Sequence, residues 1–247
     1  MKMAFISDIH GNLTALETVL ADIKSRGADE IICLGDVVGY GPHPQECLRI
    51  VRENCTVAVL GNHDAAVIDP AKHLPEMGRH AQLGMEYTLP RLDDDDRAYL
   101  RELPTRLHLP DFGLCLAHGS FVKDDVWTYV ENEHLIKEEF AGMPENGHLN
   151  FCGHTHVPLV FGERTGLHDR LTDRMPFDAN ERFVINVGSV GQPRDGDCRA
   201  RYGLLEIEEE HKLFTLVYVF YDIARTGRDI DTAGLPLFLH ERLYCGE

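Results

Sequence analysis

Val57-Ala58-Val59-Leu60-Gly61-Asn62-His63-Asp64 is an apolar run that stops at a glycine and three polar residues. The run reads as a buried strand, and the glycine lets the chain turn sharply after it. An amide that can ligate a metal through its oxygen comes next. An imidazole that can give a proton and a carboxylate that can orient it follow. One such tetrapeptide says little, but the pattern recurs along the chain. Met3–Ser7 stops at Asp8-Ile9-His10, Glu30–Leu34 at Gly35-Asp36, Gly113–Ala117 at His118 and Leu149–Cys152 at Gly153-His154-Thr155-His156. Asp8 and His10, two apart, are expected to share a strand face.

The segments between these strands set the fold class. Leu13, Leu16, Val19, Leu20 and Ile23 recur at helical spacing and Gly27 closes that run; Pro44 to Asn54 reads as a second helix. Strand–helix–strand–helix–strand order predicts a parallel α/β core with its ligand groups at the carboxyl ends of the strands. The pattern breaks at about 70–105, where Arg79–Thr88 and Asp93–Leu103 read as a helical insertion beside the site. Asp93 to Asp96 is read as the capped start of a helix. From Arg106 strands dominate: Arg106–Leu109 with Gly113–Ala117, then Val157–Phe161, Phe183–Val187, and a closing pair over Tyr202–Ile207 and Leu213–Phe220. A helix is expected around Glu131–Phe140, and a helical or irregular tail over about 222–247. A second sheet packed on the first is therefore expected, within a single domain spanning 1–247.

Composition narrows the function. Hydrophobic residues make up 43% of the 247, enough for a substantial core. Forty-one acidic against 24 basic residues leave a net charge of −17, which disfavours a protein that grips nucleic-acid backbone. No apolar run approaches the roughly 20 residues needed to span a bilayer. Asp8 arrives too early for a signal peptide. Seven cysteines without a Cys-x-x-Cys pair read mostly as small core residues in a reducing cytoplasm.

Asp8, His10, Asp36, Asn62, His63, His118, His154 and His156 thus all stand at strand ends. Any one alone is as well explained as a turn cap or a satisfied histidine; convergence of all eight on one rim is not. In this order and spacing the motifs resemble the calcineurin-like metallophosphoesterase superfamily, from residue 3 to about 190. Gly35–Pro42 and Asn186–Arg194 are similar to its small bacterial phosphodiesterase-like branch. The resemblance implies a sandwich of two mixed β-sheets flanked by helices. It also implies two divalent transition-metal ions: Asp8, His10 and His156 on one, Asn62, His118 and His154 on the other, Asp36 bridging. His63 would protonate the leaving group and Asp64 would hold its ring. Histidine-rich ligation suits manganese first, with iron, zinc, cobalt or nickel as alternatives. Two such ions can clamp the attacking and leaving oxygens of an in-line displacement and activate a water to hydroxide near neutral pH.

The expected activity is therefore hydrolysis of a small phosphodiester by metal-bound hydroxide, with His63 as general acid. The loop after Asp36, Val37-Val38-Gly39-Tyr40-Gly41, carries no arginine to clamp a terminal phosphate. That weighs against the alternatives of a phosphomonoesterase or a nucleotide or protein phosphatase. A non-catalytic metal-binding scaffold and a nuclease stand behind these. Arg194 and Tyr40 are substrate-contact candidates, although Arg194 could instead pair with Asp195 or Asp197. Lys123 and Trp127 could line the pocket, although a tryptophan there is more often simply a packing residue.

Overall fold

The computed structural model describes residues 1–208 and 211–247, so the turn expected between the last two strands lies outside it. Among the described residues two mixed six-stranded sheets pack face to face, with nine α-helices flanking them. The first sheet runs β3 (Val57–Ala58), β2 (Glu30–Cys33), β1 (Lys2–Ile6), β11 (Ala200–Glu208), β12 (His211–Val219), β9 (Met175–Phe177). β1, β2 and β3 are parallel, while β11, β12 and β9 continue antiparallel. The second sheet runs β4 (Arg106–Leu109), β5 (Leu114–Ala117), β6 (Leu149–Cys152), β10 (Phe183–Asn186), β7 (Leu159–Gly162), β8 (Gly166–His168). Its central β5, β6 and β10 are parallel.

Strand alternation sorts the core. Met3 and Phe5 of β1 face the second sheet, where the Phe5 ring stacks on Phe151 at 3.8 Å. Ala4 and Ile6 face outward and are covered by Leu16, Val19 and Ile23 of α1 (Leu13–Ser25) and Leu48 and Val51 of α2 (Pro44–Asn54). A strand buried on both faces reads as an unbroken apolar run, which is how β1 reads. On the far side of the second sheet, Ile136 and Phe140 of α7 (Glu133–Gly142) cover Cys115 and Val184. Asn12 caps α1 by accepting from the Ala15 amide, and Pro44 occupies the first turn of α2.

The expected insertion is helical: α4 (Pro70–His73), α5 (Arg79–Thr88) and α6 (Asp94–Glu102), entered from α3 (Asn62–Ile68). Asp93 and Asp96 form a reciprocal capping box at the start of α6. The tail folds as two helices, α8 (Ile223–Thr232) and α9 (Leu237–Cys245). Their apolar faces (Ile230, Leu235, Leu239, Leu243) pack against Tyr40 and Tyr87. Cys33, Cys47, Cys115 and Cys152 are buried free thiols, as a reading of core cysteines requires.

Two expectations need correction. Val57 and Ala58 are only partly buried, because β3 is the edge strand of its sheet. Asp8 and His10 do not share a strand face: β1 ends at Ile6, and both residues adopt left-handed backbone (φ 53° and 49°) in the loop beyond it. The short strands β8 and β9 carry too little apolar pattern to be read from sequence, and β9 contains Pro176.

Candidate metal centre

The carboxyl ends of β1, β2, β5 and β6 open on one rim, and the loops there are laced together. The Ile9 and His10 amides both donate to the Asp36 carbonyl, at 2.9 and 3.0 Å. The His154 amide donates to Asp8 Oδ2 at 3.0 Å, joining the second sheet to the first. Ser189 Oγ donates to the Asp8 carbonyl at 2.8 Å, and Asn186 Nδ2 to the Gly153 carbonyl at 2.5 Å. Six non-glycine residues in the described chain have left-handed backbone: Asp8, His10, Asp36, Tyr40, His154 and His156. That conformation costs an L-residue about 1–2 kcal/mol, and its concentration on one rim marks a place where geometry outweighs strain.

These constraints aim the side chains at one another. Asp8 Oδ1 lies 3.1 Å from His156 Nε2 and 3.8 Å from His10 Nε2; those two nitrogens are 3.1 Å apart. Asp36 Oδ2 lies 3.2 Å from His118 Nε2, which is 3.1 Å from His154 Nδ1. The same Asp36 oxygen is 3.7 Å from His10 Nε2, so it belongs to both groups. Asp36 Oδ1 accepts from the His63 amide at the start of α3, leaving only Oδ2 for the centre. Asp8 Oδ1 and Asn62 Oδ1 are buried with no hydrogen-bond partner. Orphaned buried oxygens carry a heavy penalty unless something absent from the protein chain meets them.

The ring orientations fit metal ligation. His10, His118 and His156 each donate Nδ1–H to a main-chain carbonyl, of Val38 (3.1 Å), Leu34 (2.8 Å) and Gln192 (2.5 Å). That bond fixes the tautomer with the Nε2 lone pair facing the centre. His154 presents Nδ1 instead, and its ring stacks on Tyr129 at 4.0 Å. Three overlapping groups result: the triads Asp8–His10–His156 and Asp36–His118–His154, and His10–Asp36–His63 across them. Nitrogen and carboxylate donors in this mix suit first-row transition ions, so the residues present fit two divalent metals.

The electrostatics agree. Burial, reinforced by His118, pushes His154 down to about 3; burial also lowers His10 and His156, so these rings are neutral ligands. Burial opposes charge on His118 too, but Asp36 and Asp8 outweigh it and raise that ring to about 9. Despite burial, the surrounding imidazoles hold Asp8 and Asp36 below the usual carboxylate range.

His63 is buried, with its ring 4.8 Å from those of His10 and Tyr40. Burial pushes it to about 4, and its Nδ1 has no partner. Asp64 does not hold that ring. Its carboxylate accepts from the amides of Val37 (3.0 Å), Val38 (3.2 Å) and Gly61 (3.2 Å), which ties the loop after β2 to the start of α3. Gly61 itself has extended, not left-handed, backbone; a Cβ there would collide with the Asp36 carboxylate and amide. The glycine is needed for close approach rather than for a turn.

A cavity of about 220 Å³ opens beside the centre, lined by His63, Asn62, His154, Trp127, Tyr129 and Tyr40, with Glu76 and Met77 of the insertion on its far wall. Lys123 is not among its lining residues and pairs with Glu138 at 2.7 Å. Arg194 borders a neighbouring cavity with Tyr129 and Thr155. Reasoning from sequence missed Asn186, Ser189 and Gln192 as supports of the centre. The available signals were polar residues ending the apolar run of β10 and the likeness of Asn186–Arg194 to the phosphodiesterase-like branch, neither of which gave these residues a role.

The family model described as the calcineurin-like phosphoesterase superfamily domain matches residues 1–210. The crystal structure of a metallophosphoesterase from Sphaerobacter thermophilus is 38% identical with a TM-score of 0.85, covering 100% of this chain and 99% of its own. The uncharacterized protein MJ0912 of Methanocaldococcus jannaschii is 34% identical over 99% of this chain and 98% of its own. The phosphodiesterase YfcE of Escherichia coli is 28% identical over 83% of this chain and 88% of its own.

Proposed function

The chain belongs to the calcineurin-like phosphoesterase superfamily, a family of metal-dependent hydrolases, and from that premise we propose that it is a dinuclear-metal phosphodiesterase acting on a small phosphate ester. Asp8, His10 and His156 would hold one ion and Asn62, His118 and His154 the other, with Asp36 shared between them. The observation that carries the reading is the Asp36 Oδ2 atom, within 3.7 Å of His10 Nε2 and 3.2 Å of His118 Nε2 and so in reach of a ligand from each triad. Bound there, the ions would supply positive charge to draw in a phosphate and to lower the pKa of an attacking water.

The remaining chemistry falls to side chains. In this reading His63, which also stands within ligand reach of His10 and Asp36, is left free of the ions and protonates the departing oxygen. Burial keeps its ring neutral in the free site. The negative charge of a bound phosphate draws a proton onto it, as Asp36 already does in part. Asp64 is a positioning residue that locks the His63 helix to the loop after β2. Tyr40, Trp127 and Tyr129 form an apolar wall for the ester's organic group.

Manganese is the first ion to try. The proposed partner is a soluble phosphate ester, not nucleic acid or membrane; the net charge of −17 supports this, and no described helix is long and apolar enough to cross a bilayer. The proposed compartment is the cytoplasm, with the buried free cysteines in support. A phosphomonoesterase is the second reading. It draws on Arg194, whose Nε is buried without a partner and could meet a dianionic phosphate.

The test strips the protein of metal and reloads it with manganese. Hydrolysis of bis(p-nitrophenyl) phosphate and p-nitrophenyl phosphate is then compared, with Asp36→Asn as control. Metal-dependent diester turnover lost in Asp36→Asn is expected. Preference for the monoester would replace the first reading with the second.

A further inference from the structure

Two guanidinium groups converge on the Tyr40 ring at the edge of the centre. Arg194, in the loop after β10, has its guanidinium carbon 5.8 Å from the ring centroid. Arg242, on α9, lies at 5.9 Å. Tyr40 in turn lies 4.8 Å from the rings of both His10 and His63, so one aromatic ring separates the pair of cations from the reacting centre. Arg242 lies outside the matched residues 1–210 and reaches the site only because α8 and α9 pack back onto Tyr40.

Neither arginine has a carboxylate side chain at ion-pair distance among the described residues. The acids next to Arg194 in sequence are already taken: Asp195 pairs with Arg201 at 2.5 Å and Asp197 with Arg199 at 2.5 Å. Arg194 Nη2 donates to Gln192 Oε1 at 2.9 Å, while its Nε is buried and unpartnered. Arg242 Nε donates to the Glu247 main-chain oxygen, and its guanidinium packs over Phe238 at 5.1 Å. Burial and repulsion from Arg194 pull Arg242 down to about 10. In a chain of net charge −17 these half-buried cations repel each other; Glu247 offsets Arg242 only in part, and Arg194 has no carboxylate at ion-pair distance among the described residues, which makes the pair a place for an anion.

We propose that Arg194 and Arg242 form an anion subsite for a second phosphate of the substrate, one that is bound but not hydrolysed. The inference rests on the phosphodiesterase reading, in which the metal triads take the scissile phosphate. It narrows the substrate to an ester that carries a further phosphate. A guanidinium fork recognises phosphate through paired charge-assisted hydrogen bonds, which the absent clamp arginine after Asp36 does not supply.

The test measures binding, so it does not depend on turnover. Manganese-loaded protein is titrated calorimetrically with thymidine 5′-monophosphate and thymidine 3′,5′-bisphosphate. Quenching of Trp127, the chain's single tryptophan and 6.2 Å from the His118 ring, places the ligand at the site. The bisphosphate is expected to bind about tenfold tighter or more. Arg242→Gln and Arg194→Gln are each expected to bring the two affinities within about twofold. Arg242→Lys, which keeps the charge, should retain part of the difference. Arg225→Gln, on α8 and paired with Glu17 at 3.7 Å, should leave it intact. Equal affinities in the parent protein, or an undiminished difference in either glutamine variant, would overturn the subsite. The same samples are assayed on bis(p-nitrophenyl) phosphate. Turnover without the affinity difference removes the subsite alone; the affinity difference without turnover removes the phosphodiesterase reading alone.

Discussion

His63 and His118 share a buried rim but are set for opposite work. His63, neutral in the free site and unpartnered at Nδ1, is positioned to give a proton to a leaving group once a bound phosphate has drawn one onto its ring. His63→Ala should lose about 10²–10⁴-fold on an ester with a poor, alkoxide leaving group and far less on a nitrophenyl ester. Steady-state rates on the two esters check this, and equal losses would count against general-acid action. His118, raised to about 9 by Asp36 and Asp8 against its burial, carries a proton in the metal-free protein at neutral pH. Metal loading at pH 7.5 should therefore expel about one proton, measurable by calorimetry in buffers of different ionisation enthalpy. The sign for stability follows from the same shift. The folded value lies above the ordinary 6.5, so this group favours the metal-free fold below pH 6.5, and its contribution is lost as pH rises through 9. Denaturant midpoints of metal-free protein at pH 6.5 and 9 should fall in that order.

Loops and helices explain which parts of the site can be read from sequence. Each ligand follows an apolar run, so the strands announce their own ends, and α2 begins and stops where its proline and periodicity place it. The Asp64 contacts were not legible, because an amide three residues away and two others 26 and 27 residues away accept no sequence-level signature. Arg242 was equally hidden: it sits in a tail helix whose relation to Tyr40 exists only after packing. The close approach at Gly61 is another case, since it depends on Asp36 coming from a neighbouring strand. Gly61→Ala should force Asp36 and α3 apart, costing roughly 1–3 kcal/mol of stability. It should also weaken metal retention, read by metal content after dialysis beside a denaturant melt. Gly84 on α5 plays a similar part for the insertion: a Cβ there would sit 2.6 Å from the Tyr40 amide, so that helix seats Tyr40 from outside.

Across the whole molecule, the ligands divide between the two sheets. Asp8, His10, Asp36 and Asn62 follow strands of the first, and His118, His154 and His156 follow strands of the second. Both triads draw on both sides, so bound ions would tie the sandwich together at its rim. Each ion at about 100 times its dissociation constant should stabilise the fold by about 2.7 kcal/mol, a rise of roughly 5–10 °C in melting temperature per ion. Differential scanning fluorimetry with and without a chelator measures it, and Asp36→Asn should show a smaller rise. The general architecture was legible because buried parallel strands read as apolar runs; the edge strands β8 and β9 were not, being short and partly exposed. The pairing of β1 has a further consequence, for the order of events at the ribosome. Its partner on one side is β2, but on the other it is β11, with the Met1 amine reaching Ile207 across 206 residues. At about 5–20 residues per second, β1 waits roughly ten to forty seconds for β11 with one edge open. The nascent chain therefore carries an apolar, unpaired strand edge until β11 emerges, and chaperone dependence should centre on β1.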